Sequence, residues 1–144
     1  MRLSMSVTCV VLLAVAANGC SDTVGPESIA GVWEENTSIP GNSLMISLAL
    51  NTSIVSGVRT ISGPGTWCGE ALACGVTNTT GTASDNRIHL VTTFDDGRIE
   101  TFDGTLKSRN SLSGSTRDTT PGGEIDLPHA QSFHRLIGDP PRTQ

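Results

Sequence analysis

Lysine occurs once in this chain, at position 107, and tyrosine not at all; its aromatic residues are two tryptophans and three phenylalanines. One lysine and scattered arginines form no basic stripe to neutralise a phosphate backbone, so nucleic acid is excluded as a partner. The formal net charge of −5 instead favours solubility. Catalytic patterns are missing too. There is no G-x-S-x-G, no H-E-x-x-H and no S-x-x-K, which removes the common nucleophile and zinc signatures. His129 and His134 stand five apart, a spacing that sends them to opposite faces of a strand. The stretch "GPGTWCG" lacks the lysine and the following helix of a phosphate loop, and Asp95-Asp96-Gly97 lacks the remaining ligands of a calcium loop. The latter reads as a hairpin turn. No enzyme activity, cofactor or metal is expected.

No apolar run is long enough for a membrane helix either. Leu3 to Ala17 is mostly apolar, but a helix needs ~20 residues to cross the hydrocarbon core. Arg2 before this run and Ala17-Asn18-Gly19 after it, followed directly by Cys20, have the layout of a cleaved export signal. The segment resembles a bacterial lipoprotein signal, in which the cysteine behind the lipobox is diacylated and becomes the new N-terminus. That resemblance implies removal of residues 1–19, fatty-acyl attachment (palmitate or a similar chain) at Cys20, and a place in the bacterial cell envelope. Several acyl chains, each contributing ~0.8 kcal/mol per buried methylene, make a stable anchor where one chain is marginal. Residues 20–28, with Gly25-Pro26 among polar neighbours, read as the lipidated cysteine and a flexible tether.

Of the four cysteines, Cys9 leaves with the signal and Cys20 carries lipid, so Cys68 and Cys74 remain as one pair. In an oxidising compartment they are expected to form a disulfide. A metal site there lacks neighbouring histidines. So short a loop implies a local pin at a loop tip, worth about 2 kcal/mol.

The rest of the chain reads as β structure. "SLMISLAL" alternates, with Leu44, Ile46, Leu48 and Leu50 on one face, and "RIHLVTTF" repeats this with Ile88, Leu90, Thr92 and Phe94. Helical periodicity is absent, and turn signals recur at all-β spacing. Strands are predicted at 31–36, 43–50, 54–61, 74–83, 87–94, 98–106, 111–117 and 131–137. The expected fold is all-β, an eight-stranded antiparallel up-and-down barrel over 29–137 with a tail at 138–144, because closure removes exposed sheet edges. An open sandwich is the rival.

Gly31-Val32-Trp33 opens this domain and Arg135, in "SFHRL", closes it. This pattern resembles the calycin superfamily of lipocalins and their bacterial lipoprotein relatives. The resemblance implies that Trp33 sits at the start of the first strand with Arg135 across its ring, and that the barrel holds a small apolar or amphipathic ligand. Avidin-like barrels share the opening motif, but their biotin site uses tyrosines that this chain lacks.

Three long connections, "NTSIPGN", "SGPGTWCGEALA" and "DTTPGGEIDLPHA", fall at one predicted end of the barrel, and three short ones at the other. The first end forms an elaborated mouth, where binding residues concentrate. The N-terminus emerges at the other, so the mouth faces away from the membrane. Candidate ligand contacts are Trp67, Glu70, Leu72, Ile125, Leu127 and His129. Trp67 serves either to stack on a ligand or to pack on the disulfide, and His129 reads as a ligand contact or a solvated loop histidine. Two further functions remain open: a filled barrel acting as a structural or protein-interaction module in the envelope, and a small protease inhibitor presenting its mouth loops.

Overall fold

The computed structural model describes residues 29–35, 45–69 and 73–136. The expected signal, the tether with Cys20, the residues Leu44, Glu70 and Leu72, and the 138–144 tail lie outside the described residues. Eight strands run β1 (Gly31–Glu35), β2 (Met45–Val55), β3 (Val58–Cys68), β4 (Cys74–Ser84), β5 (Arg87–Phe94), β6 (Ile99–Ser108), β7 (Ser111–Thr119) and β8 (His129–Arg135). Each pairs antiparallel with its sequence neighbours, and β8 returns to pair with β1, closing the barrel. The open-sandwich rival is excluded.

Alternation decides what points inward. Ile46, Leu48 and Leu50 of β2, Ile88, Leu90, Thr92 and Phe94 of β5, and Phe102 and Leu106 of β6 are buried. Within each strand they stand two or four residues apart, so all face the barrel axis. The β2–β3, β4–β5 and β6–β7 turns form the base, together with the start of β1 and the end of β8. The remaining connections form the mouth.

Several strands shift by one or two residues from their expected bounds, β8 from 131–137 to His129–Arg135 among them, and two differ more. β2 continues through "NTS" to Val55, and β3 runs on through Gly63-Pro64-Gly65 to Cys68, so the long 62–73 loop is only the short link after Cys68. Gly-Pro-Gly reads locally as a turn, yet tertiary pairing overrides it. Pro64 interrupts the β2–β3 ladder but pairs with Asn78 of β4. Gly63 is required because a Cβ there would overlap the Ala49 carbonyl oxygen. The two-residue turn falls instead at Ser56-Gly57, both with positive φ, the backbone that suits the twist of a tight hairpin.

The base is closed as the opening motif implies. Trp33 is fully buried and pairs in register with Arg135, whose guanidinium lies 4.8 Å from the indole centroid. The indole Nε1 donates to the Ile29 carbonyl at 2.7 Å. Gly31 has φ +142°, and its missing Cβ would stand 3.3 Å from Arg135 Nη1, so the glycine admits both the backbone and the arginine. Burial lowers the Arg135 pKa. The ring face thus accompanies a cation whose Nε and Nη2 have no hydrogen-bond partner. Above this plug Phe133 meets Phe102 edge-on, centroids 5.3 Å apart at 89°.

Candidate functional site

The inner wall changes character with height. Towards the base it is aliphatic and aromatic: Leu50, Ile61, Ala83, Ile88, Leu106, Leu112 and Phe133. Towards the mouth the inward positions become Glu35 on β1, Thr77 and Thr79 on β4, Thr92 on β5, Glu100 on β6, Thr116 on β7 and Gln131 on β8, all buried. Ile46 and Phe94 keep an apolar strip beside them. The result is an amphipathic chamber wall above a packed floor.

Its polar groups are only partly satisfied from within. Thr79 and Thr92 hydroxyls share a hydrogen bond at 2.9 Å. The Thr77 and Thr116 hydroxyls and both atoms of the Gln131 amide have no protein partner. Gln131 lies near enough to Glu100 to oppose the rise in its pKa, but not at the distance and angle of a formed hydrogen bond. Buried polar atoms are costly unless partnered, so such a cluster marks where water or a ligand is held. Burial, reinforced by the charges of Glu35 and Asp118, pushes the Glu100 carboxyl up to about 8, leaving it protonated at neutral pH. Asp118 is also raised, by burial first, with His129 and Arg98 opposing.

The rim is tied together around Trp67. Its Nε1 donates to Asp95 Oδ1 at 2.8 Å, and the other carboxylate oxygen accepts the Val76 N–H at 3.1 Å. These bonds hold the Asp95 carboxyl below its usual range. The Trp67 ring stands edge-on to Phe94, centroids 6.1 Å apart, and Arg98 lies over both rings, at 4.8 and 4.2 Å. Arg98 is held there by Asp96, through Nε to Oδ2 at 2.9 Å. The disulfide joins Cys68 to Cys74 across the paired ends of β3 and β4, next to Trp67.

The expected contact residues that are described, Trp67, Ile125, Leu127 and His129, do not form one cluster. Trp67 is at the rim, packed against the core through Phe94. His129 opens β8 opposite Thr116, on the face shared by Gln131 and Phe133. It therefore belongs to the mouth. The 120–128 segment folds back on the outside of β7 instead: Thr119 bridges to Ile125 and the Asp126 N–H donates to the Asp118 carbonyl at 2.9 Å. Ile125 and Leu127 consequently stand 64% and 87% exposed, away from the inner wall. Sequence reasoning missed Glu35, Glu100, Thr77, Thr116 and Gln131. The signal was parity: Glu35 stands two from Trp33, Glu100 two from Phe102 and Gln131 two from Phe133, so any register that buries those aromatics turns these polar groups inward too.

Together these features define an eight-stranded antiparallel barrel that fits the calycin or lipocalin-like fold. A solved structure described as EF1p2_mFAP2b bound to DFHBI superposes on 81% of this chain and 100% of its own length, with a TM-score of 0.59 at 11% identity. The likeness is one of fold. No protein-family model matches the chain, and no curated protein matches it in sequence.

Proposed function

We propose that this barrel binds a small amphipathic molecule through its mouth half, and that a lipid on Cys20 holds it at a bacterial membrane with the mouth pointing away. One observation carries the binding reading: the buried hydroxyls of Thr77 and Thr116 and the buried amide of Gln131 face the axis without protein partners, beside the apolar Ile46 and Phe94. A bound molecule with hydrogen-bonding and apolar parts satisfies both. The DFHBI-bound neighbour of the same fold supports small-molecule binding by such a barrel.

Charge narrows the ligand. Glu35 and Asp118 face the inside of the mouth half beside the protonated Glu100, and the four mouth connections carry Glu70, Asp95, Asp96, Glu124 and Asp126 by sequence against Arg98 alone. Arg98 is already engaged by Asp96. A carboxylate headgroup would meet like charge, so an alcohol or amine headgroup is favoured. Titrating decylamine, decanol and decanoate against Trp67 fluorescence tests this. Amine and alcohol are expected to bind about tenfold or more tightly than decanoate; equal affinity for decanoate contradicts the charge reading, and no binding by any of the three contradicts the site.

The anchor is supported by Gly19-Cys20 behind the apolar run and by the start of β1 lying at the base. Mass analysis of protein purified from bacterial membranes is expected to find an acylated N-terminal Cys20. An unmodified N-terminus contradicts the anchor and leaves the binding site untouched.

A further inference from the structure

We propose that the base of the barrel is itself a docking surface for an anionic lipid bilayer, with the β2–β3 hairpin tip as its apolar wedge. The tip carries Val55 and Val58, cross-strand partners on one face at 56% and 50% exposure, and Ile54 on the opposite face beside Arg59 at 65%. This aliphatic knob, exposed on both faces of a hairpin tip with no described part of the barrel folded over it, marks a contact surface.

The charges around the knob indicate what it contacts. On the three base hairpins the chain carries Arg59, Arg87, Lys107 and Arg109 against Asp85 alone. Arg87, Lys107 and Arg109 are exposed and Arg59 is half-buried. The mouth shows the opposite balance, so the barrel is polarised along its axis. Between the β4–β5 and β6–β7 hairpins an outer-face concavity of about 900 Å³ is lined by Arg87 and Lys107 with the hydroxyls of Ser84, Thr105, Ser113 and Ser132, and by Asp103, which is engaged by His89 at 2.7 Å. Two cations and a set of hydroxyls suit phosphate-bearing headgroups, while the hairpin tip at the same end of the barrel enters the boundary of the acyl region. The segments before Ile29 and after Leu136 carry Asp22, Glu27, Asp139 and Arg142 by sequence and lie outside the described residues.

The inference requires neither the lipid on Cys20 nor the ligand reading of the mouth. Every strand and core residue lies within 29–136, so residues 21–144, made without the signal and its cysteine, keep the whole barrel. This chain is to be floated with vesicles of phosphatidylcholine alone and of phosphatidylcholine mixed equally with phosphatidylglycerol. Flotation with the anionic vesicles only is expected, reduced by high salt. Ile54→Thr/Val55→Thr/Val58→Thr, which keeps β-branched side chains on exposed positions, and Arg87→Gln/Lys107→Gln are each expected to lower vesicle affinity about tenfold with an unchanged melting temperature. Glu124→Gln, at the mouth, is expected to float as the parent does. Equal flotation on both vesicle types, no flotation on either, or an unaffected wedge variant overturns the proposal. So does concentration-dependent dimerisation through the tip without vesicle binding, which would assign the knob to a second copy of the chain.

Discussion

Glu100 carries the sharpest consequence at the scale of single residues. Its carboxyl ordinarily ionises near 4.5 and is pushed up to about 8 here, burial being the larger cause and the charges of Glu35 and Asp118 the next. Between those values the unfolded chain has released a proton that the native barrel retains. Stability from this group is therefore complete below about pH 4.5 and is lost as pH rises through about 8. Glu100→Gln removes that loss. Denaturant unfolding is expected to show the variant gaining on the parent, by on the order of 3 kcal/mol, between about pH 5 and pH 8; parallel pH profiles would contradict the burial account. At the base, Trp33→Ala is expected to cost ~3 to 5 kcal/mol, the usual loss for a buried large aromatic. Arg135→Ala should cost less, and a double-mutant cycle should show coupling of ~0.5 to 2 kcal/mol through the cation on the indole. Additive effects would mean that the stacking contributes nothing. Trp33, Arg135 and the parity of Phe133 were legible in the sequence because a motif and an alternation both pointed to them. The partnerless groups of Gln131, Thr77 and Thr116 were not, since satisfaction of a polar atom depends on neighbours from other strands.

Strands with clean alternation were readable as elements, and β5 matches its expected bounds of 87–94. β3 was not, because its Gly63-Pro64-Gly65 run carries local turn chemistry, and only the close approach of β2 explains the glycine. Gly63→Ala is accordingly expected to destabilise the barrel by ~1 to 3 kcal/mol or more, as overpacking against backbone does, whereas Gly57→Ala meets nothing within 4 Å and is strained only through its φ of +79°. Chemical denaturation of both variants separates the two causes; a neutral Gly63→Ala would show that β2 can move away. The disulfide was legible from cysteine counting, but its place at the end of a strand pair was not. Since Cys68 and Cys74 already face each other in register, reduction is expected to lower stability by only about 2 kcal/mol and to leave the far-ultraviolet circular dichroism unchanged. Loss of the β signal on reduction would show that the bond holds the fold and not the rim alone.

At the scale of the whole molecule, barrel closure sorts a chain of modest net charge into two unlike ends. Three two-residue turns build the base, with its basic side chains and its aliphatic tip, while the longer connections and the inward carboxyls build an acidic mouth over a polar upper wall. Loop lengths announced which end would be elaborated. The wrapping of 120–128 around the outside was hidden, because it depends on pairing between Thr119 and Ile125 that no local pattern signals. The central claim is that the upper half of the interior receives a small amphipathic molecule. It is tested most directly by following the side-chain amide of Gln131 and the backbone amides of Thr77 and Thr116 in a nuclear magnetic resonance titration with decylamine and decanol. Saturable shifts at these three residues, with those of Leu112 and Ile61 near the floor unmoved, are the predicted result. Shifts confined to outward positions such as Ile125 and Leu127, or none at any position, would contradict it.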